Sequence, residues 1–153
     1  ASRKVSSATN GMVLCGHGNG VGINSANPMA LQDASNASTG TLPRAYGLQS
    51  KQPTVTYGNN GVGVWRILTM VRNAAGISLS ADGQAPVTVA YNTPDPGTTT
   101  SSAVDIGDIA AGVRHVDADI GFFAVYDRAL TAAEITSTYK AIKRLMAAKG
   151  LVI

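Results

Sequence analysis

The stretch "CGHGNGVG", Cys15 to Gly22, places a thiol, an imidazole and four glycines close together. Three chemistries use such groups: a thiolate nucleophile, a metal clip and a phosphate cradle. A nucleophilic thiolate needs an electropositive setting, and Cys15 and His17, two residues apart, meet only on a strand or in a sharp turn. The other histidine, His115, is distant in sequence. A structural zinc closes with four ligands, more than Cys15, His17 and a remote imidazole supply. Gly16, Gly18, Gly20 and Gly22 alternate strictly, and no G-x-G-x-x-G or G-x-x-x-x-G-K pattern leads into a helix. Cys15 closes the apolar run "MVLC" and reads as a core residue, since free cysteine is among the most buried residue types. His17 is kept as an imidazole able to line a binding surface. Asp105, Asp108, Asp117 and Asp119 offer hard oxygen donors for calcium, but their spacing matches no calcium loop. Aspartate is enriched in turns for its local hydrogen bonds, and that reading is preferred. No cofactor is expected, with calcium at those four aspartates as the alternative.

The elements that would position these groups are mostly strands. "VWRILTMVR", Val64 to Arg72, alternates so that Trp65, Ile67, Thr69 and Val71 share one face and Arg66, Leu68, Met70 and Arg72 the other, as expected of a central strand. "NAAG" reads as a turn, and "ISLSADGQAPVTVAY" as a hairpin closed by Asp82-Gly83. Residues 92–102, "NTPDPGTTTSS", form a loop on composition. "AVDIG" and "DIGFFAVY" return to strand character, and "GMVLC", "PMALQ", "RAYGLQ" and "PTVTY" are shorter candidates. "NGVG" occurs twice, at Asn19 to Gly22 and Asn60 to Gly63, each next to a strand, so both copies read as strand-connecting turns. At Thr131 the period changes to 3.6. Thr131 and Glu134 form a capping box, Leu130 and Ile135 stand at staple positions, Ile135, Tyr139, Ile142 and Met146 form one stripe, and Gly150 suits the position after the helix. A helix over about 131–149 is expected, packed on the sheet.

Composition limits the function classes. The chain has 153 residues, 44% hydrophobic and 14% charged, which fits one domain over 1–153 with a real core. A single cysteine cannot make an internal disulfide. No apolar run is long enough for a membrane span, and "ASRKVSSATNG" lacks the apolar centre of a signal peptide. The charge of +3 owes much to Lys140, Lys143, Arg144 and Lys149, which the helix explains. Partners are therefore expected to be neither nucleic acid, which calls for a basic stripe interleaved with aromatics, nor membrane.

In order, "VWRILTMVR", "ISLSADGQ", "AVDIGDI" and "DADIGFFAVYDRALTAAEI" resemble the second half of a concanavalin A-like, laminin-G-like jelly roll. The likeness covers about residues 62 to 140, and "VYDRALTAAEI" is its most distinctive part. It implies an all-β jelly-roll sandwich of two antiparallel sheets with one C-terminal helix. The family's apolar first strand has no equivalent in "ASRKVSSATN". The chain is then a compact variant, or that strand comes from a longer protein or a strand-donating neighbour.

The resemblance implies glycan binding or glycan hydrolysis. Laminarinase-like relatives use a Glu-x-Asp-x-x-Glu strand, because retaining cleavage needs two carboxylates about 5 to 5.5 Å apart. This chain has a single glutamate, Glu134, which the capping box uses. Asp117 and Asp119 would share a strand face but read as turn and edge residues. The expectation is a non-catalytic recognition module for carbohydrate or a cell-surface receptor. The alternative is a structural virion subunit, of a phage tail or capsid surface, or another assembly subunit; a glycan hydrolase ranks third. Candidate ligand-binding residues are Tyr46, Tyr57, Tyr91, Asn59, Asn60, Asn92 and His17. A glycan or protein partner, a homo-oligomer, and an extracellular or virion-surface location complete the expectation.

Overall fold

The computed structural model describes residues 1–4, 12–17, 29–36, 40–46, 51–55, 63–94, 105–106 and 118–153. In chain order these contain β1 (Ser2–Lys4), β2 (Met12–His17), β3 (Met29–Asn36), β4 (Gly40–Tyr46), β5 (Trp65–Arg66), β6 (Leu68–Asn73), β7 (Gly76–Ala81), β8 (Val87–Ala90), β9 (Asp105–Ile106), β10 (Ala118–Ile120) and α1 (Ala132–Ala148). All strand pairs among them are antiparallel. One sheet runs β4-β3-β2-β9, and two further ladders run β10-β1-β5 and β6-β7-β8. β5 and β6 are one chain run interrupted at Ile67. Arg66 pairs with Ser2, whereas Ile67 accepts from the Asp82 amide at 2.8 Å and donates its own amide to Asp82 Oδ1 at 2.9 Å. The two ladders thus join through Ile67 into one side of a two-sheet sandwich.

Each apolar parity of the Val64–Arg72 run has its own destination. Leu68 and Met70 pack on a core made by Leu31, Ala45, Val55, Ile77, Leu79, Ala81 and Tyr91. Ile67, on the other parity, is buried with Ile142 and Met146 of α1, and Trp65, Phe122, Tyr139, Leu151 and Ile153 pack around them. Around Ile67 the run therefore has the sandwich core on one face and the helix on the other, as its doubly apolar sequence expects. The buried central strand of its ladder is β7, with Ile77 and Leu79 fully covered.

Local chemistry sets the joints. Asp82 (φ 50°) and Gly83 (φ 72°) are the central residues of a tight hairpin turn, closed by Gln84 N donating to Ala81 O at 2.9 Å. Two consecutive positive φ values make it type I′, the turn that Asp-Gly favours. Asp82 also accepts from Arg66 at 2.6 Å, tying the turn to β5. At the preceding turn, Asn73 Oδ1 accepts from the amides of Ala75 (2.9 Å) and Gly76 (3.0 Å). The helix begins with the capping box intact, Thr131 and Glu134 exchanging side-chain-to-backbone bonds. It ends in a Schellman arrangement, with Gly150 N bonded to Ala147 O and Leu151 N to Met146 O and Gly150 at φ 74°. Met146 is fully buried; covering a side chain of its kind contributes roughly 1.5–3 kcal/mol, so Met146→Ala is the substitution that most directly loosens the helix.

Three expectations change. The Val64–Arg72 strand breaks at Ile67, because it serves β1 before the break and β7 after it. Of "DIGFFAVY", only Asp119 and Ile120 are strand, as the end of β10, and Phe123, Val125 and Tyr126 are exposed. The polar N-terminal segment, which shows no apolar strand pattern, nevertheless contributes β1 between β10 and β5. Arg3 lies over the Trp65 ring at 5.3 Å and pairs with Asp119 of β10, so cross-strand side-chain contacts replace apolar alternation there. Gly63, from the second "NGVG", has φ 76°, the backbone role expected of it; Asn19 to Gly22 and Asn60 to Val62 lie outside the described residues.

Candidate ligand-binding face

The four-stranded sheet sorts the candidate residues by register. Ala45 pairs with Leu31, Leu31 with Cys15, and Cys15 with Ile106. Leu31 and Ala45 are buried in the core and Cys15 packs against it, so this row lies on the core side as far as Cys15, while Ile106 at its end is 53% exposed. The next row joins Tyr46 to Ala30, Ala30 to Gly16, and Gly16 to Asp105. Alternation along a strand places that row on the opposite face. Adjacent strands lie about 4.8 Å apart, so the row spans about 14 Å from β4 to β9. Two residues back along β4, Arg44 pairs with Gln32, and Gln32 with Val13. The register shift between Val13 and Cys15 leaves Leu14 as the extra residue of a bulge, which bends the strand beside this row.

The other candidates scatter. His17 ends β2 opposite Met29, in the row adjacent to that of Tyr46. Tyr57, Asn59 and Asn60 lie outside the described residues. Asn92 is exposed, and its Oδ1 accepts from Lys51 Nζ at 2.9 Å. Tyr91 requires a correction: it is 9% exposed and belongs to the sandwich core, so it offers no open aromatic platform. Its backbone amide donates to Ala75 O at 2.9 Å, and its place follows from the parity it shares with Val87 and Val89 opposite Leu79 and Ile77. The sequence alone does not bring Arg44, Gln32, Ala30 and Gly16 together with Tyr46; the strand register does. The alternation of Leu42, Arg44 and Tyr46 in "TLPRAY" held part of the signal, hidden by Pro43. β4 is a terminal strand of its ladder, where proline is tolerated.

The ionisable groups have structural partners. Burial pushes the Cys15 thiol above its usual range, against a smaller opposing effect of the hydrogen bond with the Leu31 backbone. The thiolate is correspondingly scarce near neutral pH. Glu134 is held at about 2 by its hydrogen bonds with Arg128 first, then with the Thr131 backbone and side chain; the Arg128 contacts are 3.0 and 2.6 Å. A carboxyl so acidic serves the helix cap rather than proton donation. Of the four calcium candidates, Asp105 lies on β9 and Asp119 on β10, strands of different ladders. Asp119 accepts from Arg3 Nε at 3.0 Å, and Asp108 and Asp117 lie outside the described residues. Among the described residues no three of His, Cys, Asp and Glu gather as metal ligands would, and no helix is long and apolar enough to cross a membrane.

No curated protein and no solved structure matches the chain. The model of a laminin-G family, described as the concanavalin A-like lectin/glucanases superfamily, matches residues 6–136. That match takes in β2 to β10, the capping box and the start of the helix, and leaves out β1. The chain belongs to the concanavalin A-like lectin/glucanases superfamily.

Proposed function

We propose that the protein is a non-catalytic carbohydrate-recognition module, and that the sugar lies across the face of the β4-β3-β2-β9 sheet opposite its core row. The observation that carries this reading is the row Tyr46–Ala30–Gly16–Asp105. It sets an aromatic residue at one end, a carboxylate at the other and two small residues between, with Arg44 and Gln32 in the row behind. Sugar recognition calls for those parts: a ring face for the C–H side of a pyranose, and planar polar groups for its hydroxyls. The superfamily includes lectins and glucanases; the single glutamate, committed to Arg128 and Thr131, favours the lectin side. A glycan array probed with the wild-type chain and Tyr46→Ala tests this. Binding by the wild type and its loss in an equally stable Tyr46→Ala supports the proposal; undiminished binding by Tyr46→Ala, or hydrolysis of the arrayed glucans, contradicts it.

A second reading has its own observation. Ile120, Phe123, Val125 and Tyr126 are exposed at 37%, 37%, 61% and 49%, beside β10 at the end of its ladder. An apolar strip next to a sheet edge favours an assembly subunit. Light scattering showing a stable oligomer without glycan binding would select this reading over the first.

A further inference from the structure

We propose that the outward side of α1 is a second binding surface, which takes a sulfated or carboxylated polysaccharide. Charge is unevenly placed along the chain. Lys140, Lys143, Arg144 and Lys149 follow the last acidic residue, Glu134, and the rest of the chain holds eight basic residues against nine acidic ones. The net charge of +3 therefore has its source in one helix. Outside α1, Arg3, Arg66 and Arg128 are each paired with a carboxylate. The four helix cations are all exposed, and none is paired with an acid among the described residues. Lys143 and Arg144 follow Lys140 by three and four residues and are its neighbours on the helix surface, whereas Lys149, at the C-cap, lies outside this patch.

Three features narrow the partner. The apolar stripe of α1 is occupied, since Ile142 and Met146 are buried against Ile67. Leu145, 43% exposed, is the one large apolar side chain left open on the helix, too little to form an apolar face that lies in a bilayer. The one aromatic of α1, Tyr139, is half-buried. A Cβ at Gly83 would stand 2.8 Å from the Tyr139 ring, and Lys143 Nζ lies over the ring at 5.8 Å from its centroid, so nucleic-acid bases find no stacking platform. What is left is a compact cationic surface with one half-buried tyrosine, occupied by Lys143, and with no acid paired to it among the described residues, complementary to a flexible polymer of fixed negative charges. The choice of a polysaccharide as that polymer rests on the carbohydrate reading above.

The test measures binding of the full chain to immobilised dextran sulfate, polygalacturonate, unmodified dextran and duplex DNA. Either anionic polysaccharide is expected to bind roughly tenfold or more tightly than dextran, and the two arms separate sulfate from carboxylate chemistry. With three cationic contacts, counterion release gives an affinity loss of about 20-fold between 50 and 200 mM salt. The exposed triple variant Lys140→Ala, Lys143→Ala, Arg144→Ala should lose that binding while its thermal unfolding is unchanged. The proposal is overturned if dextran binds as well as dextran sulfate and polygalacturonate, if the triple variant binds undiminished, or if DNA binds more tightly than both acidic polymers. Neutral-glycan binding to the sheet is read separately with Tyr46→Ala, so failure of one surface is distinguishable from failure of the other.

Discussion

Gly83→Ala is expected to destabilise the protein by two separable effects. Gly83 has φ 72°, a conformation that costs an L-residue roughly 1–2 kcal/mol. The added Cβ would also stand 2.8, 2.9 and 3.1 Å from three Tyr139 ring carbons, well inside the usual carbon contact of about 3.5–4.0 Å. Tyr139 packs with Ile142 and Met146, so the ring can retreat only by disturbing the helix contact, an overpacking cost of about 1–3 kcal/mol. The sum is about 2–5 kcal/mol. Urea unfolding of wild type, Gly83→Ala, Tyr139→Ala and the double variant separates the parts. In the Tyr139→Ala background the steric part disappears and about 1–2 kcal/mol should remain. An equal cost in both backgrounds would refute the packing of Gly83 beneath the helix. A cost below about 0.5 kcal/mol in the wild-type background, near the level of an ordinary surface change, would refute the turn geometry as well.

The helix cap has a defined pH dependence. Glu134 titrates at about 2 in the folded chain against an ordinary 4.5, so its contribution is complete above about 4.5 and is lost as pH falls toward 2. The stability difference between wild type and Glu134→Gln, measured by urea unfolding, should stay constant above about pH 5 and shrink below it; Arg128→Ala should move the Glu134 titration upward by NMR. Cys15, whose thiol is raised by burial, should react with a disulfide reagent at neutral pH at least about tenfold more slowly in the folded protein than in urea. Equal rates would mean that Cys15 does not sit against the core.

Local signals in the sequence carry far. The Thr131–Glu134 box, Gly150 and Asp82-Gly83 each act within a few residues, and the structure uses all of them in the expected roles. The two parities of Trp65 to Arg72 also hold, because a run that packs on the core at Leu68 and Met70 and on the helix at Trp65 and Ile67 records both contacts in its own alternation. What is not legible depends on distant partners. β1 has only Ser, Arg and Lys, and is specified by Trp65 and Asp119 far along the chain. Tyr91 reads as a platform because tyrosine suits both packing and sugar contact, and only the core at Ile77 and Leu79 decides between them. The row through Tyr46 and Asp105 exists only once the register of four strands is fixed, which no single segment encodes.

The central claim is most directly tested by mapping backbone amide shifts by NMR while titrating neutral oligosaccharides. The largest changes are expected on Gly16, Ala30, Tyr46 and Asp105, with smaller ones at Gln32 and Arg44, while Ile142 and Met146 stay still. No shift with any oligosaccharide, or shifts gathered on α1 or on residues 120–126 instead, would contradict the claim.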